Sequence, residues 1–237
     1  MASQIKGNLE DRLVRYTGTI RDIRNAMQSD GYVMPTTAEI AEVVSDCTFP
    51  CSGVSMIVAE TVNYFPKKGY ILIASGELNP VLPHLDGSPI SHWRKLFGSL
   101  RGNDFYLSRG EQRELLSIAE EDKEKSPRER RVFRWDNAGY FRMRREALCG
   151  NKTDESELAK FLYKGETRKF TRFLKDNGVA HIPFWLDNKN QIDGHRAPYA
   201  RLLTFTVRSE PWNAHLLDGT HTVYADSMGT CAIKPSS

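Results

Sequence analysis

Apolar side chains in the first 65 residues recur at spacings of three and four, which place side chains on one face of a helix. Residues 8–27 show this pattern at Leu9, Leu13, Tyr16, Ile20, Ile23 and Met27. A second helix is predicted over residues 38–47, after the N-cap signal of Thr36 and Thr37. A third is predicted over residues 52–65, with an inward face of Val54, Val58, Val62 and Phe65.

The apolar run from Tyr70 to Ala74 predicts a β-strand that enters a hairpin at Ser75 and Gly76. Three helices and then a strand hairpin is the element order of a winged helix-turn-helix. The similarity becomes specific in residues 35–42 (PTTAEIAE) and 68–71 (KGYI). On these motifs, residues 12–76 resemble the DNA-binding domain of the SOS-response repressor and related winged-helix regulators, although the turn of residues 45–52 is longer than theirs.

The resemblance implies that the third helix enters the major groove of double-stranded DNA. The side chains on its outer face are then expected to reach base edges; they are Ser52, Ser55, Met56, Glu60 and Asn63. The amide of Asn63 can pair with adenine through one donor and one acceptor. Lys67 and Lys68, at the start of the wing, are expected to contact phosphates.

The remaining chain is predicted to form a helical connector with a charged linker over residues 77–125 and a basic α+β domain over residues 126–237. Helical spacing supports helices over residues 92–100, 108–120, 157–163 and 167–177. Residues 182–192 are predicted to form a short hairpin, and residues 202–207 and 222–225 two further strands of a C-terminal antiparallel sheet. The predicted fold class is therefore α+β, with a winged helix-turn-helix over residues 8–76 followed by the basic domain.

Charge is distributed unevenly. The chain has 33 Lys and Arg against 30 Asp and Glu, a net charge of +3, but residues 126–178 hold 14 basic and 8 acidic side chains. Within this segment Arg142, Arg144 and Arg145 alternate with aromatic and apolar residues, a pattern typical of nucleic-acid surfaces. The alternative is a β-hairpin whose arginines keep its outer face soluble. Residues 8–76 carry 6 basic and 8 acidic side chains, which argues against DNA binding by that segment alone.

Candidate chemistry elsewhere is sparse. His215, Asp218 and His221 have a spacing that could hold a metal ion, but Gly219 indicates a surface turn, so no metal site is predicted. Cys47 and Cys51 could act as a redox pair or fill the turn that contains them. No catalytic residue or cofactor is predicted, because phosphate-loop, dinucleotide and nucleophile-elbow glycine patterns are absent from the sequence.

The sequence thus predicts a sequence-specific DNA-binding protein, either a transcriptional regulator or a mobile-element or phage replication protein. One alternative is a winged-helix protein-interaction or assembly module without DNA binding, and a second is a nucleic-acid-processing hydrolase. The expected partner is double-stranded DNA, with a homodimer left open. A cytoplasmic location is expected, because the sequence has neither a signal-peptide pattern nor the roughly 18 consecutive apolar residues of a membrane helix.

Overall fold

The computed structural model describes residues 3–5, 13–18, 20–46, 54–81, 105–136, 144–149, 156–177, 181–207, 215–221 and 228–233. The helices are α1 (Ile20–Ser29), α2 (Thr37–Asp46), α3 (Arg109–Glu121), α4 (Glu157–Tyr163), α5 (Thr167–Asp176) and α6 (Lys189–Gly194). The strands are β1 (Ser3–Ile5), β2 (Leu13–Gly18), β3 (Val54–Tyr64), β4 (Tyr70–Ala74), β5 (Phe105–Tyr106), β6 (Val132–Asp136), β7 (Arg144–Cys149), β8 (His181–Trp185), β9 (Tyr199–Val207), β10 (His215–His221) and β11 (Met228–Ile233).

An eight-stranded mixed sheet organises the structure. Its strand order is β6-β4-β3-β9-β10-β8-β7, and β5 pairs with the beginning of β9. Neighbouring strands are antiparallel except β8 and β10, which are parallel. A smaller antiparallel sheet has the order β1-β2-β11. Because β3 pairs with both β4 and β9, strands from distant parts of the chain share one sheet.

Helices cover both faces of the large sheet. On one face, α2, α4 and α5 pack with the side chains of Met56, Val58 and Val62 from β3. On the other face, α1 and α3 pack in a second cluster that includes Ile57 of the same strand. A central strand buried on both faces needs apolar residues on both, and β3 supplies Met56, Val58 and Val62 on one face and Ile57 on the other.

The winged helix-turn-helix is not present, and the predicted fold class is wrong. The third helix predicted over residues 52–65 is strand β3. Residues separated by four lie on one face of a helix, but an even separation also places them on one face of a strand. The spacing of Val54, Val58 and Val62 therefore fits both structures, and their β-branched side chains favour the strand.

The helix predicted over residues 8–27 is wrong in its first half, where β2 ends at Gly18 with a φ of 147° before α1 begins at Ile20. The hairpin predicted for residues 182–192 is β8 followed by α6. Several other predicted elements are confirmed within a residue or two, namely α2, β4, α3, α4 and α5. The elements predicted over residues 92–100 and 222–225 lie outside the described residues. Strands on both sides of the predicted boundaries near residues 76 and 125 pair in one sheet.

Candidate ligand-binding surface

A row of cross-strand partners crosses β9, β10 and β8 on one face of the large sheet. Thr204 is opposite Asp218, and Asp218 is opposite Trp185. Residues opposite each other on paired strands share a face and lie close together. The row becomes more accessible toward β8: Thr204 is 2% exposed, Asp218 is 8% exposed and Trp185 is 40% exposed. We call Thr204, Asp218 and Trp185 the Trp185 surface.

The alternation of β8 explains why Trp185 points outward. Ile182 and Phe184 are buried in the core, and the Phe184 ring lies 5.6 Å from that of Trp135. The next residue along a strand points to the opposite face, which places Trp185 on the outer side. Among the described residues, the large hydrophobic side chains that are exposed are those of Val33 and Trp185. On the neighbouring strand β7, Arg144 is the residue opposite Trp185.

Asp218 is fixed beside this indole. Its Oδ1 atom accepts hydrogen bonds from the backbone N–H of Thr220 at 2.8 Å and from the Thr220 hydroxyl at 2.6 Å. The Thr204 hydroxyl donates to the Asp218 backbone carbonyl at 3.4 Å. The row therefore offers a large aromatic surface with a carboxylate at its side, and Thr220 fixes the orientation of that carboxylate.

A buried polar network on the opposite face holds these strands in register. The Tyr64 hydroxyl accepts from the N–H of Asp187 at 3.2 Å and donates to the carbonyl of Gly219 at 3.0 Å. Asp187 Oδ2 accepts from the Tyr199 hydroxyl at 2.8 Å and from Arg201 Nε at 3.3 Å. Burial, and after it the charge of Asp187, raises the pKa of both Tyr64 and Tyr199, so both phenols remain protonated donors. The network thus joins β3, β9, β10 and the segment that follows β8, on the face opposite the Trp185 surface.

Three arginines of the basic segment that was expected to face nucleic acid are paired with carboxylates of the protein. Arg131 pairs with Glu121 at 2.9 Å, and Arg134 pairs with Asp136 at 3.0 Å while its guanidinium lies 4.3 Å from the centre of the Tyr70 ring. Further pairs join Arg130 to Glu157 at 3.3 Å and Arg134 to Glu120 at 3.4 Å. These pairs link β6 and the residues before it to α3 and α4, so Arg130, Arg131 and Arg134 do not form an open positive surface.

The residues predicted to contact DNA do not form a common surface on a helix. Met56, Glu60 and Asn63 are buried in β3, and Lys67 and Lys68 are exposed in the turn between β3 and β4. The structure describes only the backbone of Ser55 in β3 and of Arg144 and Arg145 in β7. Ser52 and Arg142 lie outside the described residues, as do Cys47 and Cys51.

The turn predicted for His215, Asp218 and His221 is the extended strand β10, which separates its ends by roughly 20 Å and keeps these residues from converging on one ion. In the described ranges, no group of three or more His, Cys, Asp or Glu residues could hold a metal ion. None of the helices that the structure describes is long and apolar enough to cross a membrane.

Sequence reasoning missed the Trp185 surface. The segment HIPFW alternates as a strand does, and this signal could have placed Trp185 on the outer face of a sheet. The neighbours of Trp185 could not have been found in this way, because Asp218 and Thr204 reach it through pairing between separate segments of the chain.

No family model matches the sequence, and no curated protein matches it. One solved structure that is similar is described as the accommodation of massive sequence variation in Nanoarchaeota by the C-type lectin fold. The two chains share 12% identity at a TM-score of 0.60, and the alignment covers 95% of this chain and all of the other. This finding overturns the resemblance to winged-helix regulators and, with it, the predicted DNA-binding function, its winged-helix alternative and the DNA partner. The chain has the C-type lectin fold.

Proposed function

We propose that the protein is a binding protein that holds its ligand against the Trp185 surface. The observation that carries this proposal is the 40% exposure of Trp185 at the end of an otherwise buried row of the sheet. Tryptophan is enriched among the side chains that dominate binding energies, because it combines a large apolar area with one polar group. The indole can therefore act as the anchor of an interface.

A protein partner agrees best with the shape of this surface. The row lies on the face of a sheet, and protein interfaces are commonly built on such surfaces around an aromatic anchor. The similar structure from Nanoarchaeota is described as a fold that accommodates massive sequence variation. By analogy, we propose that the strands joined by the buried Asp187 network form the framework of this chain and that exposed positions around Trp185 determine which partner binds.

A glycan is the second candidate, and Asp218 favours it. A carboxylate fixed by Thr220 can accept hydrogen bonds from ligand hydroxyls while the neighbouring indole covers an apolar ligand face. The amide of Asp218→Asn can still accept from Thr220 through Oδ1 but has lost the charge. A glycan ligand should therefore respond to this substitution, whereas a protein ligand anchored by Trp185 should respond little.

The test compares the wild type with Trp185→Ala against a glycan array and a display library of folded protein domains. We expect ligands selected with the wild type to bind Trp185→Ala more weakly by roughly 30-fold or more, which corresponds to the loss of about 2 kcal/mol at a hot spot. Val33→Ala is the matched control, because Val33 is also exposed, at 43%, and lies outside the row. Equal affinities of the wild type and Trp185→Ala for every selected ligand would refute the proposal.

A further inference from the structure

Strand β6 forms one edge of the large sheet and has outward-facing backbone groups. Within the described residues it pairs with β4 and with no other strand. Ser75 N donates to the Arg131 carbonyl at 3.1 Å on the β4 side, whereas Val132 N donates to Asp122 Oδ2 at 3.2 Å on the other side. Alternate residues of a strand direct their N–H and C=O groups to the same edge. Arg134 and Asp136 therefore present their backbone groups away from β4, as Val132 does.

A pocket of about 360 Å³ lies along this edge. Its lining includes the three outward-facing residues of β6, which are Val132, Arg134 and Asp136. Ala119, Glu120 and Lys123 line it from the end of α3, and Arg130 and Glu157 line it from the segment before β6 and from α4. The volume lies within the range typical of ligand pockets. The open backbone edge and the pocket are thus one site, which we call the β6 groove.

The charges in the β6 groove indicate which side chains it would accept. Arg130 is paired with Glu157, and Arg134 is paired with Glu120 and Asp136. The ammonium group of Lys123 makes no hydrogen bond or ion pair with the part of the chain that the structure describes, and the residue is exposed. Lys123 therefore leaves the groove with one cation that a ligand carboxylate can neutralise.

We propose that the β6 groove binds an extended acidic peptide segment of a partner protein, which adds to the sheet as a strand beside β6. The outward N–H and C=O of Arg134 supply main-chain hydrogen bonds to the peptide, and Lys123 pairs with one of its carboxylates. Main-chain pairing gives affinity in this mode of recognition, and the side-chain pocket gives specificity. A second copy of this chain fits less well, because it would bring its own α3 and α4 to an edge already flanked by these helices.

This inference does not rest on the Trp185 surface, because none of the residues that line the β6 groove is Thr204, Asp218 or Trp185. The experiment uses the full chain and a phage library of random 12-residue peptides, followed by synthesis of the enriched peptides. We expect enrichment of Asp and Glu, and slower hydrogen exchange at the amides of Arg134 and Asp136 when a peptide is bound. Methylation of single peptide nitrogens should weaken binding about tenfold at alternate positions and little at the positions between them.

Two substitutions of Arg134 distinguish the contribution of its backbone N–H to peptide binding from that of its side chain. Arg134→Pro removes the outward N–H and spares the β4 ladder, and an edge strand tolerates proline at such a position. Arg134→Gln removes the same guanidinium but keeps the N–H. We expect Arg134→Pro to weaken binding of the enriched peptide about tenfold relative to Arg134→Gln. Lys123→Glu should also weaken binding of the enriched peptide, whereas Trp185→Ala should leave the affinity for this peptide unchanged.

If Arg134→Pro fails to fold, the methylated peptides still test the proposal, because their binding is measured with the wild-type protein. The proposal is overturned if no peptide is enriched, if methylation weakens binding equally at all positions, or if Arg134→Pro and Arg134→Gln bind equally. Loss of peptide binding in Trp185→Ala would also overturn it, because the peptide would then occupy the Trp185 surface.

Discussion

Glu60 and Asp122 are buried carboxylates at opposite kinds of helix end, and their proton affinities shift in opposite directions. Glu60 is 3% exposed at the N-terminus of α2, where it accepts hydrogen bonds of 3.0 Å from the N–H and hydroxyl of Thr37. Asp122 is fully buried at the C-terminal cap of α3. It accepts from Lys125 Nζ at 2.7 Å and from the N–H groups of Arg131 and Val132 at 2.5 and 3.2 Å.

The hydrogen-bond partners of the two carboxylates explain why their pKa values shift in opposite directions. Burial raises the pKa of Glu60 to about 7, and the hydrogen bonds from Thr37 offset only part of this effect. Burial also acts to raise the pKa of Asp122, but the hydrogen bonds from Lys125, Arg131 and Val132 and the charge of Arg131 outweigh it and lower this pKa below 3.8. Neutral donors at a helix N-terminus are therefore weaker compensation for a buried charge than a cation combined with two backbone N–H groups.

The largest effect is expected from Asp122→Ala, which leaves the N–H groups of Arg131 and Val132 without their acceptor. Because Val132 is buried, we expect the free energy of unfolding at neutral pH to fall by about 3 kcal/mol, measured by urea denaturation. Asp122→Asn is the control, since it retains an acceptor and should cost less. The lowered pKa means that the stabilisation by Asp122 is complete above pH 3.8 and is lost as the pH falls through the folded-state value. A loss below about 1 kcal/mol for Asp122→Ala would contradict this account.

A second effect of similar size is the pH dependence caused by Glu60. Its folded-state pKa of about 7 lies above the ordinary value of 4.5, so the folded protein binds more protons than the unfolded chain between these values. Stability should therefore fall as the pH rises through this window, by about 3 kcal/mol for this group. In Glu60→Gln, which is neutral throughout, this contribution disappears. Urea denaturation of both proteins across the window checks the prediction, and parallel stability curves would show that Glu60 titrates normally.

The smallest expected effect is the influence of the Glu39 charge on the pKa of Glu60. Glu39 caps the start of α2 by accepting from the N–H of Thr36 at 2.7 Å, and its negative charge helps to raise the pKa of Glu60. Glu39→Gln can keep the cap but lacks the charge. We expect the titration midpoint of Glu60 to fall by less than about one unit, measured by NMR of labelled glutamate carboxyl carbons. Glu111→Gln alters the matching cap of α3 and should leave that midpoint in place.

Local signals predicted the helices with clear caps or a single apolar face. The serines that cap α3 and α4, Ser108 and Ser156, mark the starts of helices that the sequence places correctly. Strand β3 could not be assigned by spacing alone, since four-residue steps fit a helix and a strand equally. Its burial on both faces arises from tertiary packing, and the choice between the two structures rests on Val54, Ile57 and Thr61, whose branched side chains favour a strand.

The candidate site could be predicted even less well than the fold from local sequence patterns. Its side chains come from β8, β9 and β10, and their proximity depends on pairings between segments of the chain separated by loops. The positive charge of residues 126–178 suggested a nucleic-acid surface, and this prediction failed for a related reason. A sequence shows that Arg131 and Arg134 are charged but not that Glu121 and Asp136 pair with them.

The position of β3 between β4 and β9 also bears on how the chain emerges from the ribosome. Val62 in β3 pairs with Arg201, and Tyr16 in β2 pairs with Thr230, so their partners are synthesised much later. Until β9 is available, an apolar strand with an unpaired edge is exposed to other nascent chains. Pairing between such distant segments also makes folding slow. The sheet that contains Trp185 thus makes the newly made protein dependent on protection of β3 until residues 199–207 have been translated.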